Sequence, residues 1–229
     1  MTDAATVRRP TADGWGLLLP ASWWTVDLRD EQARRRSVAA LAERQIGRQD
    51  DRASLRADLR KHLDRAADDA AAAGGLFMAI SLMRVGDVPR PASLTAFRLP
   101  GEGLTSSLTG TGVRELEAVL RPDLPAGVAL DIADAPAGPV LRRVAQRSGS
   151  ADLGARDVSL LLADYWLDPG DGRGLLFLSF STPLVQAREP LLQLFDMVIS
   201  SVGPVDGSPE DGSPEDRSPV GDPSVGGRS

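Results

Sequence analysis

The stretch from Arg156 to Ser181, "RDVSLLLADYWL", "DPGDGR", "GLLFLSFS", decides the fold. Two runs rich in leucine and aromatic residues flank Asp168–Arg173, where aspartate, proline and glycine supply turn chemistry, so the chain reads as a hairpin that returns antiparallel to itself. The same reading applies to "VALDIAD" (128–134) and "GPVLRRVAQR" (138–147) across "APAG". It applies again to "LFMAISLMRV" (76–85) and "ASLTAFRL" (92–99) across "GDVPRP". The first run of that pair is nearly unbroken in its apolar residues, as a strand buried on both faces would be. Successive hairpins, rather than alternating strand and helix units, predict a mainly antiparallel sheet.

Helical periodicity fills the remaining chain. Asp30 is placed to cap a helix that Gly47 stops, with Val38, Leu41, Ala42, Gln45 and Ile46 on one face. Asp51 is expected to cap a second helix, whose stripe is Leu55, Leu59, Leu63, Ala66, Ala67 and Ala70 and whose stop is Gly74 and Gly75. A short helix is expected around Val113 to Leu120, and "REPLLQLFDMVISSV" (188–202) reads as a closing helix. At the other end, "GWGLLL" (14–19) and "WWTVDL" (23–28) read as an opening hairpin across Pro20–Ser22. Alternation in its second strand sends Trp23 and Trp24 to opposite faces. Trp24 shares its face with Val26 and Leu28 and is assigned to the core, which leaves Trp23 as the residue available to a partner.

The fold class is therefore α+β, a mainly antiparallel sheet sandwiched by helices. Residues 1–10 form a flexible N-terminus, 11–203 a single domain and 204–229 a disordered acidic tail. From Gly203 the chain repeats Asp-Gly-Ser-Pro-Glu and contains no aromatic residue, so it cannot bury enough apolar surface to offset its entropy.

Composition excludes much chemistry. The 229 residues include no cysteine and one histidine, which removes disulfides, thiolate metal sites and thiol nucleophiles and leaves His62 alone to support any triad or His-based metal site. The net charge is −6, and the tail holds most of it through Asp206, Glu210, Asp211, Glu215, Asp216 and Asp222 against Arg217 and Arg228. Such a chain has no overall attraction for nucleic acid. No apolar run is long enough to span a membrane, and the first residues lack a secretory pattern, so a cytoplasmic location is expected.

The opening pattern from Trp15 to Leu28, W-x-L-L-L-P-x-x-W-W-x-x-D-L, resembles the PsbP-like α/β/α sandwich proteins. The closing "LLFLSFSTP" followed by "LLQLFDMVISSV" is similar to the end of LpqN-type actinobacterial proteins. That family includes an extrinsic subunit of photosystem II, a nuclear-transport factor that binds the GTPase Ran, and mycobacterial lipoproteins. The resemblance implies the sandwich fold and a binding role with a protein partner, and it transfers no catalytic set. This chain lacks the lipoproteins' signal sequence and lipidated cysteine.

The candidate residues are few. "TGTGVREL" (109–116) places Gly110 and Gly112 ahead of a helix, but Glu115 stands where a dinucleotide fingerprint needs glycine, so the loop reads as a helix entry. The cluster Arg34 to Arg36, with Arg44 and Arg48, reads as a salt-bridged face, since Asp30, Glu31 and Glu43 are close in sequence. Asp164 and Asp131 on strands read as edge or outward-facing acids, or as acids paired with Arg142 or Arg143, in preference to a carboxylate pair performing acid-base work in a cleft. The resulting expectation is a non-enzymatic interaction or accessory protein without a cofactor. Its surface would comprise Trp23, Gly110 and Gly112, and its partner would be a protein, with an envelope or secretion assembly as one setting. The alternative is a small-molecule binder or hydrolase with a pocket between sheet and helices.

Overall fold

In a computed structural model of the chain, residues 10–12, 14–86, 88–100, 112–149, 158–169, 171 and 173–205 are described. The elements are β1 (Thr11–Ala12), β2 (Trp15–Gly16), β3 (Trp23–Asp27), α1 (Glu31–Ile46), α2 (Ala53–Ala72), β4 (Gly75–Ser81), β5 (Arg84–Val85), β6 (Val88–Pro89) and β7 (Ser93–Leu99). They continue with α3 (Val113–Leu120), β8 (Ala129–Ala135), β9 (Gly138–Ser148), β10 (Ser159–Leu167), β11 (Leu175–Thr182), α4 (Arg188–Ser200) and β12 (Gly203–Pro204).

Three of the four expected hairpins form, β4–β7, β8–β9 and β10–β11, and with β3 they join into one antiparallel sheet in the order β3-β4-β7-β11-β10-β9-β8. Alternation along the strands then assigns side chains to two faces. On the first face, Trp23, Ala163, Tyr165 and Phe180 form the main core with Phe195 and Val198 of α4. Phe180 stacks on Phe195 with centroids 4.4 Å apart and meets Tyr165 edge-on. On the second face, α1 and α2 cover β3 and β4 through Val38 and Ala67 on Val26, Leu28 and Met78. Farther along that face, Val113 and Leu116 of α3 cover Leu130, Leu141 and Trp166.

Helix α1 starts and stops as its sequence requires. The Asp30 carboxylate accepts from the Ala33 amide at 3.0 Å, and Gly47, at φ 85°, returns its amide to the Glu43 carbonyl. Arg56 also donates to the Gly47 carbonyl at 2.7 Å, which ties the end of α1 to α2.

Three expectations are corrected. The opening hairpin does not form: β2 pairs with β1 and β12, and β3 pairs with β4 alone. Leu17 and Leu19 are buried in the main core, which carries the chain out of the sheet plane before β3. Asp51 does not cap α2, because Asp50–Arg52 wind into a 3-10 turn that runs directly into the helix. The first turn of α2 also stands clear of the sheet, with Leu55 56% exposed. The tryptophans are reversed in depth. Trp23, left for a partner, is 1% exposed beside Phe180, whereas Trp24 is half-buried at the rim beneath α1. Both faces are covered at β3, but α1 shields its face less completely than the main core shields the other.

Pro204, which the sequence reading placed in the tail, pairs with Trp15, and the Val205 amide donates to the Gly14 carbonyl at 2.8 Å. The tail from 206 onward lies outside the described residues.

Candidate functional site

Strand alternation places Asp164 and Asp131 on opposite faces of the sheet, so the two carboxylates do not meet. Asp164, 4% exposed, accepts from Arg143 at 2.6 Å and 3.1 Å and from the Ser179 hydroxyl at 2.6 Å. The Arg143 guanidinium lies 5.3 Å from the Trp166 ring centre. Trp166 stacks on Phe177, and Phe177 on Phe97, giving a run of stacked groups across β9, β10, β11 and β7. The carboxylate is therefore neutralised and hydrogen-bonded on both oxygens, which suits a structural role better than proton transfer.

On the other face, Arg142 bridges Asp131 at 3.0 Å and Asp196 at 2.8 Å, and the Tyr165 hydroxyl donates to Asp196 at 2.8 Å. Burial, and then the Asp196 carboxylate, push the Tyr165 phenol far above its ordinary range, so it remains a neutral donor. Burial works against the Arg142 charge, yet Asp131 and Asp196 hold its pKa above the ordinary value. Both clusters cross-link the sheet. Asp131 and Asp164 are paired with Arg142 and Arg143, one of the two arrangements the sequence leaves open.

The remaining candidates are scattered. Gly112 sits at the start of α3 in extended conformation, and its carbonyl accepts from the Glu115 amide. Gly110 lies outside the described residues. His62 is exposed on α2, and Arg34, Arg35 and Arg48 pair with Asp68, Glu31 and Glu43. Among the described residues no three His, Cys, Asp or Glu side chains converge as metal ligands.

The structure instead singles out the link between β4 and β7. Strands β5 and β6 form a two-stranded ribbon, with Val85 opposite Val88 and Arg84 opposite Pro89. Its base continues the hairpin, since the Arg90 amide donates to the Met83 carbonyl and the Ser81 amide to the Ala92 carbonyl, each at 2.8 Å. Val85 and Val88 are 58% and 54% exposed. Pairing puts the two valines on one face of the ribbon and Arg84 and Pro89 on the other. Beside the ribbon a cleft of about 340 Å³ is lined by Arg44 and Gln45 from α1 and by Leu82, Met83, Arg84 and Pro89. Arg44 is held over the Trp24 ring at 5.7 Å, and the Trp24 indole donates to the Ser37 hydroxyl at 2.9 Å. A further cavity, bounded by Trp15, Leu17, Phe77 and Phe97, is wholly apolar and about 20 Å³, the space of a single water.

The sequence reading took "GDVPRP" only as a turn. Its signal was Gly86-Asp87 between two valines, a two-residue hairpin pattern, with Gly86 at φ 61°.

The class defined by these observations is an α+β protein whose antiparallel sheet carries helices on both faces and whose strand acids Asp131 and Asp164 are held in arginine pairs. No family model matches the chain, and no curated protein matches it. Among solved structures it is similar to cyanobacterial PsbP (CyanoP) from Synechocystis sp. PCC 6803, at 15% identity over 89% of this chain and 95% of that one, with a TM-score of 0.41. It is also similar to the Ran-binding protein Mog1p of Saccharomyces cerevisiae, at 6% identity over 89% and 97%, with a TM-score of 0.39. These likenesses are of outline and define no site.

Proposed function

We propose that the chain is a non-enzymatic interaction protein that engages a partner protein through the β5–β6 ribbon. The observation that carries this reading is the pair Val85 and Val88, each more than half exposed on a ribbon that joins no larger sheet. Isolated two-stranded ribbons gain little stability from exposed valines, whereas apolar side chains on a projecting element suit an interface. Trp23 is not part of this surface, because its ring is sealed in the core. The saturated state of Asp164 and the Asp131–Arg142–Asp196 bridge favour a binding role over acid-base catalysis. The closing Leu-Phe-Asp helix favours a place beside LpqN-type proteins. A cytoplasmic setting rests on the sequence, and no helix among the described residues is long and apolar enough to cross a membrane.

A photoreactive residue at position 88, irradiated in cells, tests the reading. A single protein should crosslink, and the crosslink should vanish when Val85→Asp accompanies the probe without a change in melting temperature. Absence of any crosslink above background would sink it. The alternative, a small-molecule binder, is favoured by the volume of the cleft, which falls within the range of ligand sites. A metabolite thermal-shift panel separates the two, since a shift of several degrees with one compound class supports the pocket.

A further inference from the structure

We infer that the open middle of the sheet's second face receives one amphipathic helix of a partner protein, lying between α2 and α3 with an acidic flank toward β9. The inference goes beyond the ribbon reading and uses a different surface. On this face α1 and α2 lie over β3 and β4, and α3 lies over β8 and β9. Cross-strand register aligns Ile80, Ser93, Ser181, Leu162 and Ala145 in one row from β4 to β9, and every one of them is half-buried. Alternation sets Leu160 and Val158 on the same face farther along β10, with Val158 41% exposed. Apolar side chains also rim the opening. Ala53, Arg56 and Ala57 of α2 face α1, so helical geometry turns Leu55 and Leu59 the other way, toward the row, and Leu55 is 56% exposed. On α3, Arg121 reaches the Leu130 carbonyl on the β8 side, and Val119, on the opposite flank, is 53% exposed.

Width and charge select the occupant. The central strands are paired on both sides, so their face is covered by a helix and not extended by a further strand. From β4 to β9 is four strand spacings, roughly 19 Å, which seats one helix at about 8–10 Å from α2 on one side and from α3 on the other. Leu160, Leu162 and Ile80 supply the apolar floor for its stripe. Arg147 is exposed directly across from Leu160 and enters no ion pair among the described residues. Arg143 follows on the same face, with part of its side chain in solvent beyond Asp164. The β9 side is therefore cationic, and glutamate or aspartate along that flank of the helix matches it. The chain's own acidic tail is a poor fit, because Pro209, Pro214 and Pro219 interrupt any helix there.

The test is fluorescence anisotropy of the full-length protein with two labelled amphipathic helical peptides that share one leucine stripe and carry either glutamates or lysines along its flank. The glutamate peptide should bind on the order of tenfold more tightly, and raising salt from about 50 mM to about 300 mM should erode that preference. Arg147→Glu should reverse the preference and Leu55→Asp should weaken the glutamate peptide roughly fivefold, both without a change in melting temperature, since both side chains are exposed. Val85→Asp should leave the peptide unaffected. Equal binding of the two peptides, or a preference that survives Arg147→Glu, overturns the inference, and binding untouched by Leu55→Asp places the peptide elsewhere and overturns it too. A photoreactive residue at position 55 identifies the occupant: a crosslink to the glutamate peptide supports the inference, whereas one to a second copy or within the same chain, in the presence of that peptide, overturns it in favour of that occupant. The ribbon reading fails separately, by absence of the crosslink at position 88.

Discussion

Asp164 and Arg143 depend on one another because only one of them is deeply buried. The carboxylate is almost wholly enclosed, while the arginine retains solvent on part of its surface. Removing the arginine strands a charge in the interior, and Arg143→Leu is expected to lower stability by about 3 kcal/mol in urea unfolding. Arg143→Leu combined with Asp164→Leu should recover much of that loss; failure to recover any would mean the guanidinium acts through its packing on Trp166 alone. Asp171 behaves differently. Partial burial raises its pKa, but hydrogen bonding from Arg98 and the Arg173 amide outweighs that effect and holds it below its ordinary 3.8. A carboxylate depressed in the folded state stabilises the protein above its unfolded pKa, and this contribution drains away as pH falls through the folded value. Melting temperature should therefore drop more steeply below about pH 4 in the wild type than in Asp171→Asn. The tryptophan pair shows how far single residues are legible in sequence. Alternation correctly separates Trp23 from Trp24, yet the depth of each depends on which helix covers which face, and that is decided by α1 and α4 from distant parts of the chain.

Elements were legible where their signals were local. The hairpins β8–β9 and β10–β11 each carry their turn residues between their own strands, whereas the β7–β11 and β3–β4 neighbours that complete the sheet join segments with no turn between them. Strand β2 has a local signal for β1 alone, the Asp13-Gly14 pair that precedes it, whereas its other partner β12 lies at the far end of the domain, and Leu17 and Leu19 read equally well as strand or as buried crossing. Gly75 was read as a helix stop, but its position is also a place of close approach. A Cβ there would lie 2.7 Å from the Ala70 carbonyl oxygen and 2.7 Å from Leu28 Cδ1, so α2 and β4 touch where no side chain fits. Gly75→Ala should cost about 1–3 kcal/mol, read from the urea midpoint, and a neutral result would show that α2 can slide along the sheet. Asp30→Ala should cost about 1 kcal/mol through loss of the α1 cap, with the remaining helical signal unchanged.

For the whole molecule, the architecture was readable because one sheet with two helix-covered faces is nearly forced by repeated hairpins and flanking amphipathic helices. The ribbon cleft was not, because Arg44 and Arg84 belong to different elements and come together only when α1 is laid beside the β4–β7 connection. Integrity of the domain depends on both of its ends. A chain cut after Val202 loses β12, leaving Trp15 and Gly16 without that partner, and should melt about 3 °C below a chain cut after Val205. Identical melting would show that β12 is ornamental to stability.

The small sheet formed by β1, β2 and β12 has a mechanical consequence. Trp15 faces Pro204 and Gly14 meets Val205, so the chain enters and leaves the folded unit at almost one point. Tension on the two ends would first peel away β1, whose neighbour Pro10 accepts from the Leu17 amide, and would then open the β2–β12 pair like a zipper, one hydrogen bond at a time. The same closeness would let it be spliced into a surface loop of another protein with little distortion of its host.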